Sequence, residues 1–286
     1  MGGTGSLGCY RHPDRPTGIA CVRCERPICP ECMTPASVGF QCPECIQAGR
    51  VTVRTPRRGG GLAAAGRRWG AVTLGLIAAN VVMFLVSAIS AVSVGNSPLN
   101  NYDSPFFDAL SQWPAGVALL GEWWRIFTAA FLHIGPLHLV LNMLALLVFG
   151  SELERGLGRW RFLGVYVISI LGGAVSIQLF GNPRVPVAGA STAIYGLLGA
   201  LGVLMLARRQ DVRGLLTLLA INVVISFLPG VSLLGHLGGL VAGAAATGIL
   251  VATRRRPTLQ IGALALFGVL LLVVTLTAPT LVVSGL

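Results

Sequence analysis

The chain has 286 residues, of which 54% are hydrophobic and only 11% charged, and its mean hydropathy is +0.77. Too little polar surface is present to clothe an ordinary soluble domain, so the composition points to a polytopic membrane protein. The net charge of +11 rests on 21 basic residues, all arginine, spread between apolar runs; that spread is explained by membrane topology and attraction to an anionic lipid bilayer, and no nucleic-acid partner is expected.

The first feature in chain order is a cysteine ladder. All seven cysteines lie before residue 46 and, with His12, form four pairs: Cys9 and His12, Cys21 and Cys24, Cys29 and Cys32, Cys42 and Cys45. Two intervening residues let both side chains of a pair grip one metal, and eight such ligands fill two tetrahedral, structural Zn²⁺ sites. A disulfide framework is disfavoured by the odd cysteine count and by a reducing, cytoplasmic location, and a redox dithiol would use one pair. The expected closure is interleaved, with the first and third pairs on one ion and the second and fourth on the other. Residues 9–45 resemble a B-box-type zinc finger whose final ligands are Cys instead of His. That resemblance implies a structural or binding role and names no partner; the module's cytoplasmic side makes any partner a cytoplasmic protein.

The zinc-binding module is therefore expected to occupy residues 1–48, followed at 49–68 by an Arg, Gly and Pro-rich linker without apolar periodicity. A membrane domain is expected over 69–286, with a core at 69–252 and an extra C-terminal span at 259–280. Its apolar runs fall at about 69–92, 134–150, 162–180, 190–207, 214–228, 233–252 and 259–280. Against the roughly 20 residues a helix needs to cross a bilayer, these make seven spans of an all-α bundle, several of them short. Arg50, Arg54, Arg57, Arg58, Arg67 and Arg68 precede the first run; Arg155, Arg159 and Arg161 follow the second, Arg208, Arg209 and Arg213 the fourth, and Arg254, Arg255 and Arg256 the sixth. Only Arg125 and Arg184 lie in the alternate loops. The positive-inside rule then puts the N-terminus in the cytoplasm and the C-terminus outside a cell membrane. The first 60 residues have no apolar core of the kind a cleavable signal peptide carries.

Ionisable groups inside a membrane are costly and mark function by default. His138 and Asn142 are four apart in the second run and share a helix face, and His133 stands just ahead of it, with Gly135 and Pro136 between. Ser191 follows Gly189 and Ala190 at the start of the fourth run, where free backbone N–H groups can stabilise negative charge, and Tyr195 lies one turn on. His236 enters the sixth run among Gly235, Gly239 and Gly243, a four-residue repeat that allows another helix backbone to approach closely. On the inferred topology, the second, fourth and sixth runs all begin at the outer face, and His138, Ser191 and His236 lie within about 6 Å of those beginnings. Taken singly, each has a bland reading as interhelical glue or back-bonding to its own helix; three polar groups at one depth are harder to dismiss. No acid lies centrally in a run, which excludes a paired-aspartate protease, and no H-E-x-x-H motif is present for a membrane zinc protease. A serine activated by a histidine remains.

His133-x-x-x-x-His138-x-x-x-Asn142, Gly189-Ala190-Ser191, Tyr195 and the Gly-flanked His236 resemble the rhomboid family of intramembrane serine proteases over about residues 69–252. Trp124-Arg125 in the long outer loop matches that family's Trp-Arg pair, and Glu154-Arg155 matches its acidic turn in type and position. The extra span matches the six-plus-one form. The resemblance implies a serine endopeptidase with Ser191 as nucleophile, His236 as general base, His138 and Asn142 as oxyanion donors beside the Ser191 N–H, Tyr195 packed on His236, and His133 lining a water-accessible entrance. It implies transmembrane protein substrates and no cofactor for catalysis. The chain departs from the family at Thr192, where the family has Gly or another very small residue. A catalytically silent relative that binds or escorts membrane proteins is the main alternative, and the presence of both Ser191 and His236 weighs against it. A transporter is disfavoured because the His-rich segment has no second copy. The outer loop, 94–132, carries Phe106, Phe107, Trp113, Trp123 and Trp124, as expected of a segment resting in the membrane interface.

Overall fold

The computed structural model describes residues 7–52, 62–227 and 231–277. Arg54, Arg57 and Arg58, residue 228 of the fifth apolar run and residues 278–280 of the seventh lie outside them. The chain divides into two compact units, Met1–Gly60 and Gly61–Leu286.

The first unit is built from two minimal hairpins and a helix. β1 (Leu7–Gly8) pairs antiparallel with β2 (Pro16–Thr17), β3 (Thr34–Pro35) with β4 (Phe40–Gln41), and α1 (Pro43–Thr52) follows. Its buried apolar residues are Cys9, Cys21, Ile28, Cys29, Cys32 and Cys42. A core of sulfurs and one isoleucine is too small to hold a chain of this length unaided, since domains below about 40 residues usually need metals or disulfides. The stretch expected as a linker, 49–68, is helical at both described ends, in α1 and in α2 (Leu62–Trp69). The alanines of Leu62-Ala63-Ala64-Ala65 supply helix propensity there without any apolar periodicity.

The second unit is helical throughout, with α3 (Ala71–Ser93), α7 (Gly135–Ala145), α8 (Ser151–Leu157), α9 (Arg159–Phe180), α10 (Ser191–Ala207), α11 (Arg213–Ile225), α12 (Leu233–Ala252) and α13 (Pro257–Thr277) as its main elements. Short helices α4 (Pro105–Leu110), α5 (Pro114–Leu120) and α6 (Arg125–Thr128) fold the long loop between α3 and α7. A single π-helical turn at Leu146–Gly150 joins α7 to α8 into one 23-residue apolar stretch. Among the described residues, five segments are long and apolar enough to span a membrane: α3, α7 with α8, α9, α12 and α13. The fourth and fifth expected spans appear as shorter apolar helices of 17 and 13 residues. At 1.5 Å per residue these reach about 25 and 20 Å, short of a hydrocarbon core of about 30 Å. Arg208 and Arg209 end α10 and Arg213 opens α11, so charge limits both.

The bundle is organised around α9, α10 and α12. Over an apolar stretch of 18 residues α9 is 67% buried, against 11% for α13 on the rim. Val82, Leu85 and Ile89 of α3, Leu137, Leu141 and Leu144 of α7, and Ile261 and Leu266 of α13 are exposed, a continuous apolar surface that lipid would cover and water would not. Helix backbones touch where glycine removes the side chain. A Cβ on Gly239 would collide with the Thr192 carbonyl, one on Gly243 with the Gly196 carbonyl, and one on Gly172 with Ala242. The Gly235, Gly239, Gly243 repeat thus packs α12 directly on α10. At the other end, Glu154 of α8 reaches back 81 residues and more to cap α3, accepting from the N–H groups of Val72 (3.1 Å) and Thr73 (2.8 Å) and from the Thr73 hydroxyl (2.8 Å). The carboxylate satisfies donors that the first helical turn leaves orphaned, at the positive end of the helix dipole.

Candidate active site and metal clusters

Close packing of α10 on α12 brings the first residue of one against the first turn of the other. Ser191 Oγ lies 2.8 Å from His236 Nε2. The Tyr195 ring stacks on the His236 imidazole, with centroids 4.0 Å apart and planes 13° from parallel. His236 and Tyr195 are both buried, which holds the imidazole plane fixed. Ser191 itself opens α10, so its N–H and those following it belong to the unpaired first turn.

His138 stands on the opposite side. Its Nδ1 accepts from the Ile134 N–H (3.2 Å), so the neutral ring carries its hydrogen on Nε2. That atom faces the serine across Gly189: a Cβ there would come within 3.1 Å of His138 Nε2 and 3.3 Å of Ser191 Oγ. Gly189 also has φ +138, a backbone conformation reserved for glycine, so any side chain at this position would be strained and would fill the space between imidazole and hydroxyl. Its N–H donates to Ala129 O (2.9 Å), and Val187 and Gln112 exchange a pair of backbone hydrogen bonds (2.7 and 3.0 Å). The loop between α3 and α7 thereby holds the approach to Ser191. Asn142 is buried one turn from His138 and donates from Nδ2 to the His138 carbonyl (2.8 Å), leaving its second amide hydrogen uncommitted.

His133 differs from its expected place. It is fully enclosed rather than at a water-accessible entrance, with its ring edge-on to His138 at 5.1 Å and its carbonyl accepting from Asn101 (2.7 Å). The cause is Asn101, whose amide also receives the Gly135 N–H (2.8 Å) and so folds the loop between α3 and α7 over this segment. Thr192 also has an explanation in the packing. Its methyl sits where a Cβ on Gly173 of α9 would be, and its hydroxyl lies 3.0 Å from the Cβ position of Gly235. Two glycines on neighbouring helices make room for the β-branched residue. Arg125 organises the same loop: buried, it pairs with Glu122 (2.7 Å) and donates to the carbonyls of Asp108 and Ser111, the latter at 2.8 Å.

Ser226 stands out among residues the sequence reading passed over. Buried directly after α11, its Oγ lies 2.7 Å from His236 Nδ1 and 2.9 Å from the Tyr195 hydroxyl. An i, i+4 pair of polar residues, Asn222 and Ser226, closing an apolar helix was the available signal.

In the first unit the eight ligand candidates fall into two groups, Cys9, His12, Cys29 and Cys32, and Cys21, Cys24, Cys42 and Cys45, with all ligand atoms of a group within 4.8 Å of one another. The grouping is the interleaved one. His12 Nδ1 lies 3.4 Å from Cys29 Sγ, 3.6 Å from Cys32 Sγ and 3.9 Å from Cys9 Sγ, and Cys24 and Cys42 Sγ are 3.8 Å apart. A regular tetrahedron with metal bonds of about 2.0 to 2.3 Å has edges of about 3.3 to 3.8 Å, so both groups could hold a metal ion. Burial raises Cys9 and Cys21, but backbone N–H groups, including that of Cys42 on Cys21 (3.2 Å), outweigh it and hold both thiols down at about 6. Burial first, and then the neighbouring thiols, push Cys32 up to about 11 and Cys45 to about 12. Each cluster is thus primed to ionise but resists full ionisation without a cation at its centre.

A Rhomboid domain model matches residues 120–253. The chain is 34% identical to Rhomboid protease GluP of Bacillus subtilis over 182 residues, 60% of this chain and 34% of that protein. It is 40% identical to RHOMBOID-like protein 6, mitochondrial, of Arabidopsis thaliana over 129 residues, 43% of this chain and 42% of that one. With YdcA of Bacillus subtilis it shares 36% identity over 142 residues, covering 48% of this chain and 71% of the relative. A helical membrane protein with a half-buried serine in contact with a buried histidine, matched along most of a relative's length, defines the class: the chain belongs to the rhomboid family. It spans about a third of GluP and two fifths of the Arabidopsis relative.

Proposed function

We propose that this protein is an intramembrane serine endopeptidase that cleaves membrane-anchored proteins, with Ser191 as nucleophile and His236 as general base. The observation that carries the reading is the 2.8 Å contact between Ser191 Oγ and His236 Nε2 inside an apolar bundle. Ser191 Oγ attacks the substrate carbonyl carbon as its proton passes to His236 Nε2. The oxyanion is met by the Ser191 N–H, by His138 Nε2–H and by the free amide hydrogen of Asn142. The imidazolium returns its proton to the leaving amine, and water, activated by the same base, hydrolyses the acyl-enzyme. Tyr195 fixes the imidazole plane, Gly189 keeps the oxyanion space open, and His133 supports His138 through ring packing. The substrate helix unwinds locally, because a helical peptide bond is shielded by its own hydrogen bonds.

The seven apolar helices form a six-plus-one arrangement with α10 and α11 as short spans, Ser191 near the outer face and the arginine-rich ends inward. Residues 1–48 form a cytoplasmic B-box-type module whose two tetrads hold structural zinc, 49–68 connect it to the membrane domain, and the module is the docking point for a cytoplasmic protein. Catalysis itself needs no cofactor. The test reconstitutes the protein in vesicles with a transmembrane substrate: Ser191→Ala and His236→Ala abolish cleavage, and wild-type kinetics in purified Ser191→Ala would overturn the reading in favour of a binding or escort role.

A further inference from the structure

We propose that Ser226 is a positioning residue of the same site, holding the His236 imidazole in the one neutral tautomer that can take the Ser191 proton. The inference rests on the assignment of Ser191 and His236 as nucleophile and base. A neutral imidazole has one N–H, and if it sits on Nε2 the ring cannot accept from Ser191. Something must therefore hold the hydrogen on Nδ1. In triads that task falls to a carboxylate, but among the described residues no carboxylate bonds to His236; its Nδ1 meets Ser226 Oγ at 2.7 Å.

A count of hydrogens decides the direction of that bond. Ser226 Oγ has three partners: the Asn222 carbonyl at 2.8 Å, the Tyr195 hydroxyl at 2.9 Å and His236 Nδ1 at 2.7 Å. A hydroxyl offers one hydrogen and two lone pairs. The Asn222 carbonyl can only accept, so it takes the single Ser226 hydrogen. Both lone pairs are then left to receive, one from the Tyr195 O–H and one from His236 Nδ1–H. This is the one assignment in which all three bonds are made, and it leaves the Nε2 lone pair facing Ser191. When the serine proton arrives on Nε2, the Nδ1–H bond to Ser226 becomes charge-assisted and strengthens.

A hydroxyl suits this depth better than an acid would, because an ionised carboxylate in an apolar bundle is costly to desolvate. Ser226 is also where α11 is fastened. None of residues 213–225 is buried, whereas Ser226 immediately after them is 2% exposed. Tyr195 restrains the imidazole twice, by stacking on its face and by reaching round to the hydroxyl that receives Nδ1–H.

The test uses the full chain in vesicles with a transmembrane substrate, comparing Ser226→Ala, Ser226→Thr and Ser191→Ala with wild type. Ser226→Ala should lower kcat by about tenfold to 100-fold, the range for losing a partner that orients an imidazole ligand, with KM unchanged. Ser226→Thr, which keeps the hydroxyl, should restore most of the loss. Nitrogen-15 NMR of histidine-labelled protein, with the signal identified by its loss in His236→Ala, should find the hydrogen of neutral His236 on Nδ1 in wild type and shifted toward Nε2 in Ser226→Ala. Wild-type kcat in a folded Ser226→Ala, or a wild-type His236 carrying its hydrogen on Nε2, overturns the proposal. If Ser226→Ala does not fold, Ser226→Cys, close in size but a poorer acceptor, takes its place under the same criterion. Inactive Ser191→Ala beside an unimpaired Ser226 variant removes this inference alone; wild-type cleavage by Ser191→Ala removes the reading beneath it.

Discussion

In the first unit the buried residues are five cysteines and Ile28, so the groups that would grip a metal are also the core. In the second unit the site depends on what is missing: glycines at 172, 239 and 243 let α9, α10 and α12 meet backbone to backbone, and the reacting side chains project from that contact. The difference is one of where order comes from. Ligand bonds can order a few dozen residues that bury little apolar surface, whereas a site built on helix contact is as exact as the packing behind it and needs no ion. The two units should therefore fail under different insults.

The largest contrast comes from metal removal. A strong chelator should release two zinc ions per chain and unfold residues 9–45, because binding free energy is folding free energy in so small a module, while cleavage by the membrane unit continues. Loss of cleavage on chelation, with the bundle still folded, would break the comparison. The converse insult is Gly239→Leu. Its side chain would drive α12 away from the Thr192 carbonyl and part His236 from Ser191, so cleavage should be lost while zinc content, measured by elemental analysis, stays at two per chain. Retained activity would mean that the helix contact does not set the dyad. A smaller effect is expected of Asn142→Ala, which removes one oxyanion donor among several and should slow turnover by about 10² to 10³; an unchanged kcat would take Asn142 out of the site. The smallest is Glu154→Ala, which strips the cap from α3 and should cost about 1 to 3 kcal/mol in denaturant titration, with the zinc unit unaffected. No shift in midpoint would deny the carboxylate its capping role.

Much of this was legible in the sequence because the signals were periodic or paired. The C-x-x-C spacing foretold which sulfurs would meet, and the interleaved grouping emerged as expected. The four-residue glycine repeat around His236 announced a close helix contact, and the segment it meets does begin at Ser191. What stayed hidden depended on partners distant in the chain. Glu154 reads as part of an acidic turn, but its cap on α3 shows only once α3 is placed against it, and Thr192 reads as a misfit until Gly173 is placed against its methyl. Ser226 is indistinguishable in sequence from a serine bonding back to its own helix, which it also does. The enclosure of His133 follows from Asn101, 32 residues away in an irregular loop. The short apolar runs at 190–207 and 214–228 return as the 17- and 13-residue helices α10 and α11, with Arg208 closing the first and Arg213 opening the second.

The central claim is that Ser191, made nucleophilic by His236, is the reacting atom. A fluorophosphonate allowed to react with the purified protein, followed by peptide mapping of the adduct by mass spectrometry, tests it most directly. The account predicts a single phosphonyl group on Ser191, absent in Ser191→Ala and nearly absent in His236→Ala, with loss of cleavage tracking the extent of labelling. An adduct on a different serine that abolishes cleavage, or full cleavage after Ser191 is completely modified, would contradict it.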